Sequence, residues 1–185
     1  MDIKELNKVL HESCLANDIC EEYEEKWGNK ILTQQELIDF IKREYLFIYR
    51  LPEETFAIVK ENFDTDLMHK NGIFIDGDVI TELESNHKNN SFYFLGNAKG
   101  NITVNKGRYN IYLYEKSNLD ITVEGDAIVN IYVLAWSNLN VTGNGTKVVE
   151  VNHISKSAEI KSDGNVKIFD RIVIDKYIRA MWRKK

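Results

Sequence analysis

Apolar triplets recur along the middle of the chain at steps of 19, 19 and 20 residues. They are Ile73–Ile75, Phe92–Phe94, Ile111–Leu113 and Ile131–Val133, with weaker sequels at Val149–Val151 and Val166–Ile168. A second series runs in phase with them and consists of Asn101–Val104, Asp120–Val123 and Asn140–Gly143. Repetition at a short fixed period is typical of arrays whose units bury their apolar sides against one another. The pattern predicts a short parallel β-solenoid, or β-helix, over residues 71–170.

Alternation within each coil assigns side chains to faces, so Ile111 and Leu113 are expected to point inward and Tyr112 outward. Corners are predicted where glycine and serine recur once per coil, because glycine adopts left-handed backbone conformations readily. The recurring residues are Gly107, Gly125, Gly145 and Gly164, and Ser117, Ser137 and Ser157. The serines are expected to form a stacked corner, bonded from one coil to the next.

A pentapeptide solenoid is the competing interpretation, because 20 residues also make four groups of five. The triplets Ser117–Leu119 and Ser137–Leu139 fit such a repeat. Glu124, Asn144 and Glu159 do not fit, since they would occupy its central apolar positions. A strand-rich coil of 19–20 residues is therefore the preferred interpretation.

Helical patterns dominate residues 1–70, where apolar residues recur at the spacing of a helix face. Helices are expected at about 3–26, 34–49 and 53–64. Thr33 and Glu36 have the form of a capping box, and Pro52 stands where the third helix could begin. The predicted fold is α+β, with a three-helix head before the solenoid.

The last segment, residues 171–185, combines apolar and basic positions. Its apolar residues are Ile172, Ile174, Tyr177, Ile178, Met181 and Trp182. Since an open solenoid end exposes unpaired strand edges, this segment is expected to fold back as a capping helix or to dock onto a second subunit.

The chain of 185 residues carries a net charge of −5 at pH 7. No apolar run approaches the roughly 18 residues that span a bilayer, and the first residues have no export pattern. A cytoplasmic protein without membrane attachment is expected. Because the chain is acidic and lacks a continuous basic stripe, direct nucleic-acid binding is not expected.

No motif for nucleotide, zinc or nucleophilic chemistry occurs, and the histidines at 11, 69, 87 and 153 are scattered. We therefore predict no catalytic residue, no metal site and no cofactor. His153 falls at the position of Leu113 and Val133 in earlier coils, which favours a structural, partly buried histidine.

Aromatic residues give the more suggestive pattern. Tyr93, Tyr112 and Tyr132 hold equivalent outward positions in three consecutive coils, with Tyr114 and Trp136 nearby. Stacked aromatics stabilise adjacent strands by themselves, but aromatics on a rigid surface are also common anchors of interfaces. These five residues are the predicted binding surface.

The leading functional hypothesis is a non-enzymatic protein-binding or assembly module that also forms a homo-oligomer. One alternative is an inhibitor of a host defence enzyme, acting through the acidic head residues Glu21, Glu22, Glu24 and Glu25. The other alternative is a glycan-binding or glycan-processing β-helix, since large aromatic residues on a rigid surface also form sugar-binding faces.

Three features of the head occur together: Asp18–Glu22, then Trp27, then a Thr33-led helix that continues into Arg43–Tyr49. About 30 residues thus resemble the opening of uncharacterised bacterial and phage proteins, which have a Cys-x-Glu stretch and a helix of the form Asp-Trp-Leu-x-Trp-Leu. Tyrosines stand here in place of the tryptophans, and Glu44 in place of the aspartate. The resemblance implies a mobile-element or bacterial accessory protein, and it assigns no functional residue.

Overall fold

The computed structural model describes residues 1–16, 25, 27, 28, 30–43, 53–83, 90–134 and 136–171. Two compact units make up the chain, Met1–Met68 and His69–Lys185. The described helices are α1 (Ile3–Ala16), α2 (Gln34–Arg43), α3 (Glu53–Asn62) and α4 (Thr65–Lys70). The described strands are β1 (Ile73–Ile75), β2 (Asp78–Leu83), β3 (Ser91–Leu95), β4 (Lys99–Val104), β5 (Arg108–Leu113), β6 (Asn118–Val123), β7 (Ile128–Val133), β8 (Asn138–Gly143), β9 (Val149–His153), β10 (Glu159–Gly164) and β11 (Val166–Asp170).

Four helices are described in the N-terminal part, where the sequence predicted three. The predicted helix at 53–64 ends at Asn62, and the short helix α4 follows it. Asp64 separates the two, because its carboxylate accepts a hydrogen bond of 2.8 Å from the backbone N–H of Leu67, as an N-cap does. The predicted stretches 17–24 and 44–49 lie outside the described residues.

Local hydrogen bonds organise the first unit. The side-chain amide of Asn7 donates to the carbonyl of Leu32 and accepts from its N–H, both at 2.8 Å, so it bonds the backbone as a strand would. Glu36 accepts from the N–H and the hydroxyl of Thr33, both at 2.8 Å, which completes the predicted capping box. These bonds lower the pKa of Glu36. No helix in the described part of the chain is long and apolar enough to cross a membrane.

The second unit is a parallel β-solenoid, which confirms the main prediction. The described odd-numbered strands form one six-stranded sheet in the order β1-β3-β5-β7-β9-β11, here called the first sheet. The even-numbered strands form the second sheet, in the order β10-β8-β6-β4-β2. Each coil thus adds one strand to each sheet, and it has two long sides rather than four sides of five residues.

Equivalent side chains form columns along both sheets. Phe92, Ile111 and Ile131 are stacked neighbours in the first sheet, as the repeat predicted. The first coil is aligned differently, because Ile73 pairs with Tyr93 and Phe74 with Phe94. Alternation requires this one-residue correction: it places Phe74 in the inward column, where its ring stacks on Phe94 at 5.1 Å between centroids.

The core lies between the sheets and consists of the inward columns. Its central members, among them Ile111, Ile131, Leu119 and Val129, are completely buried. Two different corners join the sheets in every coil.

One corner contains the buried pair Ser117 and Ser137, whose hydroxyl oxygens are 3.3 Å apart. The same column continues to Ala158, since Glu159 pairs with Asn138, and so the prediction for Ser157 was wrong by one residue. The Ser157 hydroxyl nevertheless accepts a hydrogen bond of 3.1 Å from the N–H of Trp136 in the preceding coil.

Glycine recurs at the other corner, which leads from the second sheet back to the first. Gly125 has a φ of 57°, and a Cβ at this position would collide with the carbonyl oxygen of Asn105. The coils approach each other too closely here for a side chain, which explains the recurrence of glycine at this corner.

Candidate functional site

The predicted tyrosine column exists, but most of it is buried. The rings of Tyr93 and Tyr112 stack at 4.9 Å and those of Tyr112 and Tyr132 at 4.8 Å, each nearly parallel. Tyr93 is 4% exposed and Tyr112 is 8% exposed, whereas Tyr132 is half-buried. The expectation of an open aromatic surface is therefore wrong for Tyr93 and Tyr112.

A second apolar column runs beside the tyrosines on the outer side of the first sheet. It consists of Leu95, Tyr114, Leu134 and Ile154, all buried although they lie outside the core between the sheets. Burial, with a smaller effect from the Glu115 carboxylate, raises the pKa of Tyr114 far above its usual value. Tyr114 is thus also not on an open surface, and the outer side of the first sheet is largely buried along these two columns.

Trp136 is the one member of the predicted binding set that is strongly exposed, at 49%. Its backbone is left-handed, with a φ of 57°, which is uncommon for a large residue. It lies in the turn before β8, whose outward residues are Asn138, Asn140 and Thr142. The exposed indole thus immediately precedes a polar strand row.

That row lies on the polar outer side of the second sheet. One column contains Asn101, Asp120 and Asn140, and another contains Thr103, Thr122 and Thr142. The side-chain amide of Asn140 donates to the carboxylate of Asp120, so the column is ordered from coil to coil. The asparagine and aspartate positions are exposed and the threonines are half-buried. Alternation along the strand predicts from the sequence that Thr122 points outward, and the burial pattern of β6 agrees.

The last turn of the solenoid is the most exposed part of the described repeat. Ile168 is 42% exposed, whereas Ile111, Ile131 and Val151 in the same inward column are 0% exposed. Val166 and Ile160 are also only half-buried. The end formed by β10, β11 and Arg171, here called the open end, therefore exposes apolar core side chains, and each of its two strands has a neighbour on one side only among the described residues. The capping helix predicted at 171–185 lies, beyond Arg171, outside the described residues.

His153 holds a position that is apolar in earlier coils. It aligns with Val133, and its Nδ1 is 2.9 Å from a carboxylate oxygen of Asp170. Its Nε2 is buried and has no hydrogen-bond partner in the part of the chain that the structure describes. The pair joins β9 to β11, and it gives His153 a structural contact at the open end.

The structure adds little support for the acidic head surface or for a metal site. Glu21, Glu22 and Glu24 lie outside the described residues, and Glu25 is exposed. Inhibition through this acidic head therefore stays a prediction. Among the residues that are described, no three histidine, cysteine, aspartate or glutamate side chains come together as a metal site.

Comparisons of the chain with protein-family models, with curated proteins and with solved structures found no match. Function must accordingly be argued from the surfaces that the solenoid presents.

Proposed function

We propose that the protein is a non-enzymatic binding or assembly module that docks a protein partner at the open end of its solenoid. The observation that carries this proposal is the exposure of Ile168 in a column whose other members are fully buried. An incomplete core at the end of a regular array gains stability when another chain covers it.

The backbone supports the same conclusion. In each sheet the strand at this end, β10 or β11, has a described neighbour on one side only. A strand edge offers a row of N–H and C=O groups to an added strand, and such pairing is a common mode of protein recognition. Exposed apolar side chains beside two strand edges fit a protein partner better than a small ligand.

A variant at the open end tests this function. Replacing Ile168 with lysine places a charge where a partner must exclude water. Proteins from the source cells that are retained by the immobilised wild-type chain should include at least one that I168K loses. Quantitative mass spectrometry measures this loss, and retention is expected to fall about 10-fold or more, as for an interface anchor.

The matched control is Thr122→Lys, which adds the same charge to the outer side of the second sheet. T122K should retain the partner, and circular dichroism should show the same strand content for both variants. If I168K retains everything that the wild-type chain retains, docking at the open end is wrong.

A specific observation favours glycan binding as a second candidate function. Sugars are commonly bound by an exposed aromatic ring beside hydrogen-bonding side chains. The exposed Trp136 lies in the turn two residues before the row Asn138, Asn140 and Thr142. A carbohydrate array tests this candidate with Trp136→Ala, and the control is Val148→Ala, since Val148 is 47% exposed elsewhere. Binding that W136A abolishes and V148A keeps would support it, and no binding by the wild-type chain would exclude it.

A further inference from the structure

We propose that the partner at the open end is a second copy of this chain, joined tail to tail about a two-fold axis that crosses the shaft of the solenoid. This inference rests on the proposed function and gives it a partner, a symmetry and a register. It is carried by the burial at the two ends of the array and by the charges of the last turn.

The two ends of the repeat differ. In the first turn the inward residue Val79 is 6% exposed, and the half-buried ring of Phe74 stacks on that of His69 at 4.9 Å between centroids, so the inward apolar residues there already have neighbours. Ile168 at the other end is 42% exposed. Head-to-tail stacking would need two open ends, and it would propagate into a fibre. Pairing of two open ends instead closes at two copies.

Strand directions set the register of such a dimer. β10 leads into the corner at Asn165 and β11 leads away from it, so the two strands run in opposite directions. A two-fold axis parallel to these strands places β10 of one copy on β11 of the other as an antiparallel pair. Residues equally distant from Asn165 then stand opposite each other, and opposed residues point to the same face.

In this register the outward charges are complementary. Glu159 stands opposite Arg171 of the other copy, and Asp163 stands opposite Lys167. Symmetry repeats both pairs, which gives four ion pairs across the junction. All four side chains are exposed in the described chain.

The remaining outward position fits as well. Lys161 stands opposite Phe169 of the other copy. The Phe169 ring already has the Lys167 ammonium at 4.7 Å and the Arg171 guanidinium at 5.5 Å, so it is placed to accept cations. Shifting the register by two residues would instead set Lys161 against Lys167 or Arg171, and like charges directly opposite each other are destabilising.

The inward positions are compatible with the same register. Ile168 is opposite Ser162, and Val166 is opposite Gly164, so each large side chain of β11 faces a small residue of β10. Ile160 is opposite Asp170, whose carboxylate is already paired with His153. The dimer would thereby cover the half-buried apolar residues of both copies.

Two charge-reversed variants of the full chain test the register. The first, E159K/D163K, makes β10 basic, so it repels the basic β11 of its own kind. The second, K167E/R171E, makes β11 acidic, so it repels the acidic β10 of its own kind. Each variant alone should dimerise about 100-fold more weakly than the wild-type chain, because like charges oppose at every pair. An equimolar mixture should form a heterodimer, since each reversed strand then faces its complement.

Analytical ultracentrifugation over a concentration series measures these states, with one variant labelled to identify the heterodimer. The charge-matched controls E124K/D126K and K106E/R108E alter exposed residues away from the open end. Both controls should dimerise as the wild-type chain does, and circular dichroism should show that all four variants are folded.

Three outcomes would overturn the inference in different ways. A dimeric wild-type chain whose two variants do not restore each other would exclude this register. A monomeric wild-type chain whose other retained proteins are still lost with I168K would exclude the second copy as partner, while docking at the open end would stand. A monomeric wild-type chain that loses nothing with I168K would refute both proposals.

Discussion

The two sheets of the solenoid share one core but differ on their outer sides. In the first sheet two outer columns are apolar and largely buried, as Tyr112 and Leu134 show with exposures of 8% and 1%, beside a half-buried or exposed polar column that contains Asn110, Asn130 and Glu150. In the second sheet the outer positions are asparagine, aspartate and threonine, and Asp120 and Asn140 are exposed. A coil of one length and one period therefore makes one sheet whose outer face is buried along two apolar columns and one whose outer face is polar and solvated.

The strand sequences already indicate this difference between the two sheets. Phe92, Tyr93, Phe94 and Leu95 form an unbroken apolar run in β3, whereas β6 alternates polar and apolar residues. Continuous runs are typical of strands buried on both sides, and alternation is typical of strands with one solvated side. Tyrosines in such a run therefore indicate a second buried layer before they indicate a binding surface.

The largest expected effect compares equivalent outer positions of the two sheets. Tyr112→Ala should lower the free energy of unfolding by about 3 to 5 kcal/mol, because it removes a large buried ring that stacks on two neighbours. Thr122→Ala, on the half-buried polar face, should cost at most about 1 kcal/mol. Denaturant unfolding followed by circular dichroism measures both values. Equal losses would remove the contrast between the sheets.

A smaller effect concerns the corner that leads from the first sheet to the second. Ser137→Ala leaves the buried Ser117 hydroxyl without its partner and should cost about 1 to 2 kcal/mol. The column also contains Ala98 and Ala158, so the methyl group fits. The double change S117A/S137A should consequently cost less than the sum of the two single changes. Additive costs would show that the hydroxyls do not interact.

The smallest expected effect concerns the ionisation of Tyr114. It does not alter the free energy of unfolding at neutral pH, and it grows as the pH becomes alkaline. Its pKa is raised by burial from an ordinary value of 10.0, so the folded state keeps the proton after the unfolded state has lost it. The stabilising contribution is complete below pH 10.0 and declines as the pH rises towards the folded pKa, by up to about 1.4 kcal/mol per pH unit.

The variant Y114F cannot ionise and should lack this part of the alkaline decline. Unfolding experiments from about pH 8 to about pH 11 on the wild-type chain and Y114F would reveal the difference, because this pH range brackets the ordinary tyrosine pKa of about 10. If the two curves of unfolding free energy against pH are parallel, Tyr114 is solvated rather than buried on the outer side of the first sheet.

Much of the solenoid could be predicted, because its signal is repeated in every coil. Ile111 and Ile131 were placed in one column from spacing alone, and the structure pairs them. The first coil was misaligned because Ile73 and Phe74 are both apolar, and only the cross-strand pairing distinguishes the inward one. The helix predicted at 53–64 ends within two residues of the end of α3, but α4 was missed, because its six residues are too few to show a repeated apolar spacing.

The candidate site was less predictable than the fold. Tyr112 and Trp136 look alike in sequence as aromatic residues near the same turns, yet one is 8% exposed and the other 49%. Exposure depends on what packs over a side chain, and the repeat carries no information about that. The sequence indicated that a solenoid end needs covering, but Val166 and Ile168 still repeat the core pattern, so it did not indicate that Ile168 is exposed.

The sequence by itself determined the period, the parallel stacking and the inward columns. Alternation and repetition are local properties of the sequence, and they recur in every coil. Only the tertiary structure decided that one sheet is covered on its outer side and the other is not. It also decided that the inward Ile168 of the last turn is 42% exposed while the inward Val79 of the first turn is 6% exposed. The physical reason is that burial is a relation between distant parts of the chain, and a repeated pattern looks the same whether its outer side or its end meets protein or water.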